Sequence, residues 1–416
     1  MGNTSNNQVI TNHKSNWFLL SLLGALMAFT SLSTDVYLPA LPQMQTDLKG
    51  NVELTITGFL IGFAVAQIFW GPFSDRFGRK MPLILGLLLF IIGSVGCALS
   101  QNIFQMIFCR VIQAFGACVG PMLARAMVRD MYGRTKAAET LSTLMLIMAV
   151  APIIGPLIGG QLIKISSWHS IFWFLSIIGG LILLATYWLK ETLPIANRTN
   201  ASIASAFSKY PALLKNRKFM RYTLCVTFYY VGAYAFIAGS PFVYITYYGI
   251  EPQHYGWLFA FNIVGLMLIS FLNRILVKRF SLDALLRVAT KTAMVAALIL
   301  AIDAKWNIGG IYGIVIPAFV FFSMNGIIAA TSTAAALDGV PEMAGAASAL
   351  LGSLQYGSGI ISTVLLAWLS DGTGWTMAWI MAFSAIAAVI TISLKKGKNQ
   401  ISKNGMKISD FYTRRE

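Results

Sequence analysis

The chain has 416 residues, of which 57% are hydrophobic and only 11% charged. Water-soluble domains carry roughly 25% charged residues, so the composition excludes an ordinary soluble enzyme or binding module. A formal net charge of +16 would point to nucleic acid in a soluble protein. Here the basic residues crowd into short loops between apolar runs, which is a membrane-topology pattern and argues against nucleic acid as a partner.

Twelve apolar runs follow one another, at about 17–38, 53–73, 81–99, 103–128, 138–163, 170–189, 220–246, 254–277, 283–302, 308–334, 343–369 and 375–394. A bilayer core takes about 20 apolar residues per helix. Backbone in lipid must satisfy its own hydrogen bonds, so each run is predicted to be a transmembrane helix. An even number of spans puts both termini on one side. Most of the 31 Lys and Arg residues fall in the termini and in the loops after spans two, four, six and eight. The positive-inside rule makes those segments cytoplasmic. The expected protein is a multi-pass, all-α protein of the bacterial inner membrane, embedded in the lipid bilayer.

The longest internal loop, 190–219, is polar and basic, with Pro194 and Pro211. It divides the chain into a first six-helix half (1–189) and a second (220–394), followed by a basic cytoplasmic tail (395–416). Ile203, Ala206 and Phe207 have helical spacing within the linker, which suggests a short surface helix. Internal repetition is faint. Two six-helix bundles around a midplane cavity are the architecture expected of a transporter built from repeated halves.

Span one ends Ser33-Thr34-Asp35-Val36-Tyr37-Leu38-Pro39-Ala40-Leu41-Pro42. A carboxylate at membrane depth is costly to keep charged, and a proton neutralises it readily. Asp35 is therefore either a proton-coupling group or an interfacial cap on backbone loosened by Pro39. Lys49 and Glu53, just beyond, are expected to be solvated. Span four contains Arg110, about seven residues inside the run, or ~10 Å along the helix. Gln113 lies one turn on, on the same face. Such an arginine either serves a watery cavity or a partner, or it is structural.

The loop after span two reads Gly71-Pro72-Phe73-Ser74-Asp75-Arg76-Phe77-Gly78-Arg79-Lys80. Gly71 permits close helix approach and Gly78 a tight turn. Asp75 can meet a cation or a helix terminus. Span five carries Pro152, Gly155, Pro156, Gly159 and Gly160; the prolines bend a helix and the glycines admit a close neighbour. Tyr230 and Tyr234 share a face of span seven. Either they stack a ligand or they belong to helix packing. Asn262, Asn325 and Gln355 are intramembrane polar candidates for the same cavity. Lys291, inside span nine, is assigned to snorkelling or packing. Four scattered cysteines and three distant histidines form no metal site, and no catalytic set or phosphate-binding loop is present.

The Gly71–Lys80 loop resembles the G-x-L-[AS]-D-R-x-G-R-[KR] signature of the major facilitator superfamily. Arg110 with Gln113 resembles that family's R-x-x-Q-G, with Ala114 where glycine is usual. The span-five segment resembles its G-P-x-x-G-G antiporter motif. The Asp35–Pro42 stretch, with Ala344–Leu350 and Gln355, resembles the bicyclomycin- and chloramphenicol-resistance (Bcr/CflA) drug/proton antiporters. The resemblance implies proton-coupled efflux of small drug-like molecules by alternating access, powered by the proton gradient without a cofactor, and a monomer. The alternative is a carrier of an endogenous metabolite such as a sugar, amino acid or purine. Proton coupling is expected on Asp35 and Arg110, and the substrate cavity on Tyr37, Gln113, Tyr230, Tyr234, Asn262, Asn325 and Gln355. A conformational latch is expected on Gly71, Asp75, Arg76, Gly78, Arg79 and Asp130, in which Asp75 pairs with Arg79 or a neighbouring helix end.

Overall fold

The computed structural model describes residues 13–198, 208 and 210–393. The segment holding Ile203, Ala206 and Phe207, and the basic tail from 395, lie outside the described residues. The described chain is helical, without a strand. Twelve helices are long and apolar enough to cross a membrane: Trp17–Leu48, Glu53–Phe77, Lys80–Ala98, Ile103–Met131, Glu139–Ile165, Trp168–Tyr187, Arg217–Tyr247, Pro252–Leu276, Leu282–Trp306, Gly310–Asp338, Ala344–Leu369 and Trp375–Ser393. They are spans one to twelve below. The loops alternate between two ends of the bundle. One end, the basic end, carries the Gly78–Arg79 loop; the other is the far end. Large apolar side chains such as Phe104, Trp173, Leu184, Trp257 and Phe383 remain exposed, as a lipid-facing surface requires.

Several spans are discontinuous, and local sequence explains where. In span one the helix stops at Asp35, passes through a 3-10 turn at Leu38–Ala40 containing Pro39, and resumes as Leu41–Leu48. It therefore runs well past its predicted end at Leu38. Span four breaks at Cys118, just ahead of Pro121. Pro121 has no N–H for the Ala117 carbonyl four residues back; the Thr30 hydroxyl of span one donates to that carbonyl instead, at 3.1 Å. Span seven passes through Pro241 into a π-helical turn, Phe242–Tyr247, the kind of local widening found at functional sites. Span eleven breaks at Ser358, between Gly357 and Gly359.

The packing repeats although the sequence barely does. Spans one and five, two and four, three and four, and three and six are packed together, and so are seven and eleven, eight and ten, nine and ten, and nine and twelve. Each of these first-half pairs recurs with six added to each number, although spans seven and twelve pack far more extensively than spans one and six. Between the halves, span two packs on span eleven and span five on span eight. Adding six to one member and subtracting it from the other exchanges these two contacts. The molecule is thus two copies of one packing scheme, related by an approximate two-fold axis.

The two ends differ. At the far end Asn51 Nδ2 donates to the Ala367 carbonyl at 2.6 Å, and the Thr57 and Thr363 hydroxyls lie 2.6 Å apart. Gly160 of span five abuts the Pro252–Gln253 backbone of span eight. The span two–eleven contact continues inward through Leu60 on Gly359 and the Ser353 hydroxyl on the Ala64 carbonyl, then ends at Gln67 on Gly352. One turn further, Gly71 and Gly345 have open space around them. The helices have parted, and the structure is closed at the far end and open at the basic end.

Three expectations are settled by this packing. Gly71 makes no close helix contact in this conformation, because the turn it occupies lies beyond the point of separation. Glu53 is not solvated: it is 6% exposed, covered by the sealed far end. Lys291 is exposed, on the same outward face as Val288, Val295 and Ile299, which fits a snorkelling side chain.

Candidate functional site

Asp35 closes the first helix of span one at the point where Pro39 interrupts it. Its carboxylate is buried and accepts a hydrogen bond from the adjacent Thr34 hydroxyl at 3.0 Å. No cation pairs with it among the described residues. The Asp35 Cβ rests against Gly155 of span five. One turn along, a Cβ on Gly159 would fall on the Val36 carbonyl oxygen, so only glycine lets span one lie this close. The span-five helix runs unbroken through Pro152 and Pro156. Across the interface, the hydroxyls of Tyr234, Tyr255 and Tyr356 lie within electrostatic range of the carboxylate. Asp35 thus sits between the halves, on a glycine-floored face of span five.

Arg110 is completely buried. Its Nη1 donates to the Ser33 carbonyl at 3.2 Å and to the Gln113 side-chain oxygen, and Gln113 Nε2 donates to Ser94 Oγ at 2.8 Å. The guanidinium lies 4.2 Å from the Tyr37 ring centroid, 4.4 Å from Phe59 and 5.9 Å from Phe172. Its Nε and Nη2 have no hydrogen-bond partner. This is a desolvated cation held by aromatic faces and not by a carboxylate. Arg110 and Asp35 form no ion pair. Tyr37 covers Arg110, whereas Asp35 rests on Gly155 of span five. The same packing places two of the expected cavity residues. Tyr37 and Gln113 are fully buried inside the first half, because the arginine draws both onto itself.

The second half brings other expected residues together. Tyr230 and Tyr234 have centroids 6.1 Å apart. Asn325 Nδ2 donates to the Tyr230 hydroxyl at 3.5 Å, and Gln355 lies beside the same hydroxyl. Tyr356, which sequence reasoning missed, extends this wall: its ring is 6.4 Å from Tyr234 and 4.5 Å from Phe63 of span two. Tyr230, Asn325, Gln355 and Tyr356 are half-buried. They form the roof of the gap that opens towards the basic end. Asn262 is buried on span eight, its amide donating to the Leu258 carbonyl at 3.2 Å. Among the described residues the side-chain oxygens of both Asn262 and Asn325 have no donor, and a ligand N–H or O–H can satisfy them. Arg125 of span four is half-buried and within electrostatic range of Tyr356.

At the basic end, the Gly71–Lys80 loop builds an ion cluster. Arg79 Nη1 donates to Asp75 Oδ1 at 2.7 Å and to Ser74 Oγ at 2.8 Å, and its Nε donates to Asp130 Oδ2 at 2.8 Å. Gly78 has φ +92°, which favours glycine. Glu191 was not foreseen as part of this site. Its Oε1 accepts the Arg79 backbone N–H at 2.8 Å and its Oε2 that of Lys80 at 3.2 Å. It therefore caps the N-terminus of span three, where a negative charge is favoured. Burial raises its carboxyl, but the backbone N–H groups of Leu193, Arg79, Lys80 and Thr192 outweigh that and hold it below the usual range. Arg76 stays outside the cluster, exposed, its guanidinium 5.6 Å from the Phe77 ring. Every member of this cluster belongs to the first six spans or the segment following them.

Two six-helix repeats joined by two reciprocal contacts, with broken helices at their interface, define a secondary transporter. The chain belongs to the Major Facilitator Superfamily, whose profile matches residues 22–363. An MFS-type transporter of Bacillus subtilis described as uncharacterised, YdgK, is 37% identical over 88% of this chain and 92% of its own length. The bicyclomycin resistance protein homolog of Haemophilus influenzae is 28% identical over 94% and 99% respectively. Among solved structures, a mutant of the nucleoside transporter NupG superposes with a TM-score of 0.73 at 14% identity, covering 90% of this chain and 98% of that one. Within the superfamily the chain falls with the Bcr/CflA type. It is a multi-pass membrane transporter of small molecules.

Proposed function

We propose that this protein exports small drug-like compounds from bacterial cells across the inner membrane in exchange for protons, working as a monomer without a cofactor. The observation that carries the reading is Asp35, a buried carboxylate with no cation partner among the described residues, set against Gly155 and within electrostatic range of Tyr234, Tyr255 and Tyr356 of the second half. A proton on Asp35 removes the cost of burying its charge. Its loss changes the field at the tyrosine wall, so proton and substrate occupancy are linked. The names of the drug-resistance relatives support the substrate class.

The basic end faces the cytoplasm, together with both termini. Residues 1–189 and 220–394 rock against each other, with 190–219 as linker. Compounds enter the gap from the cytoplasm, stack on Tyr230 and Tyr234, and donate to Asn325, Asn262 or Gln355. Arg110 holds the Asp35 segment of span one in place through Ser33. The Asp75–Arg79–Asp130 cluster is the preassembled first-half side of a latch that meets the second half when the gap closes.

Purified protein in liposomes tests the reading. Substrate-dependent proton movement, lost in Asp35→Asn while binding persists, is expected. A hypersensitive host challenged with a compound panel identifies the substrates. If no compound in the panel is exported, but a sugar, amino acid or purine is carried, the protein is a metabolite carrier.

A further inference from the structure

Glu53 is a second buried carboxylate, and neither the tyrosine wall nor the Asp35 site uses it. It opens span two at the far end and is 6% exposed. It is also the outermost member of a stripe, Glu53, Thr57, Leu60, Ala64 and Gln67, spaced as one face of a helix. The next four members touch span eleven through Thr363, Gly359, Ser353 and Gly352 in turn. Asn51, two residues earlier, reaches Ala367. Glu53 is thus buried between Asn51 and Thr57, two residues that cross to the other half.

Among the described residues no cation pairs with it. The packed face of span eleven, Gly359–Leu369, contains no titratable residue. On span four, the first titratable groups are Cys109 and Arg110, and Arg110 stacks on Phe59, about two turns deeper than Glu53. Span three carries Cys97 towards this end, span seven Tyr244 and Tyr247, and span one Tyr37, whose hydroxyl lies 3.4 Å from that of Thr55. In the flanking loops Lys49 and Asp371 are exposed, and Asp371 accepts from the Thr373 N–H and hydroxyl. The carboxylate has only its own backbone N–H as donor.

We infer that Glu53 is a gating proton site: the far end closes by taking a proton onto Glu53 from the far-side solution and reopens by returning it there. This rests on the alternating-access reading above. When the far end opens, spans two and eleven part around Glu53, as they already do beyond Gln67 at the basic end. In the open gate the carboxylate meets water and ionises. Shutting the gate over a bare charge is unfavourable, so closure and protonation are linked. Acid outside thus drives the transporter to the form seen here. The proton returns to the side it came from, so Glu53 biases the gate and carries no charge across.

Nitroxide labels at exposed Lys49 and Ser370, in a background with the four cysteines replaced, report the far-end distance. In the unmodified gate this distance should shorten as pH falls from about 8 to about 5, a range spanning exposed and buried carboxyls. Glu53→Gln should stay short throughout, with the pH response lost. Glu53→Asp should keep the response. If Glu53→Gln does not yield folded protein, Glu53→Ala takes its place. A Glu53→Gln distance that responds to pH as the parent does overturns the assignment to Glu53 alone. A parent distance that never changes, with pH or with an exported compound, overturns alternating access and this inference with it.

Discussion

Arg110 is a permanent charge in the middle of a bundle, and three aromatic rings and two oxygen acceptors hold it where a carboxylate would be expected. A flat guanidinium fits between the Tyr37 and Phe59 rings; an ammonium on a flexible stem does not reproduce this. A desolvated cation–π contact contributes about 2 kcal/mol. Arg110→Lys is therefore expected to lower thermal stability by an amount of that order and to cut transport. Unfolding curves in detergent, with efflux from the same preparation, check this. Parental stability and efflux in Arg110→Lys would mean that charge alone suffices. Asp35→Asn belongs to the same scale. It should fold and bind compounds, since it removes a charge that has no partner, but lose proton-driven exchange. Gradient-driven exchange that persists in Asp35→Asn would place the coupling group elsewhere.

At the scale of elements, span five and span one are in contact because Gly159 has no side chain. A methyl there meets the Val36 carbonyl oxygen, a rigid neighbour. Overpacking of this kind costs about 1–3 kcal/mol. Gly159→Ala should destabilise the protein by that much and disturb Asp35, one residue before Val36; Gly180→Ala, where a Cβ meets nothing within 4 Å, is the control. Equal melting temperatures for the two variants would refute the close-packing account. Span three depends on Glu191 in a similar way. Its carboxyl is held below the usual range by backbone donors despite burial. Its stabilisation is present above the ordinary carboxyl value, about 4.3, and is lost as pH falls through the lower folded value. Glu191→Gln should thus be less stable than the parent near neutral pH, and the difference should vanish in acid. A melting-temperature difference that is the same at all pH values would exclude the charge as its cause.

For the whole molecule, the ion cluster at the basic end is complete although the halves stand apart there. It does not need the second half to form. Its effect on the transport cycle must come through what Asp75, 55% exposed on its side chain, meets when the gap closes. Asp75→Asn should slow transport and shift the population further towards the form open at the basic end, with substrate affinity retained. A networked charge can bias such an equilibrium by about 1–3 kcal/mol. Distances between labels on the two halves at the basic end read the shift directly. Unchanged distances and transport would reduce the motif to a topology signal.

The sequence by itself determined the class of structure, because lipid leaves the backbone few choices. Runs of about 20 apolar residues must be helices, and an isolated charge such as Asp35 or Arg110 stands out in them. Loop motifs such as Gly71–Lys80 were legible because their residues are contiguous. Tertiary structure decided which charge faces what. Glu53 at the edge of a run reads as solvated; it is buried where Asn51 and Thr57, on either side of it, cross to span eleven of the other half. Glu191 reads as one more linker residue until the chain folds it onto the Arg79 and Lys80 amides. Tyr37 and Gln113 share motifs with cavity candidates, yet Arg110 draws them into the first half. Tyr230, Asn325, Gln355 and Tyr356 come from three different spans, so no local pattern could join them. The repeat of packing between the halves was invisible for the same reason: it is kept by which helix faces touch, and many apolar sequences satisfy that requirement equally well.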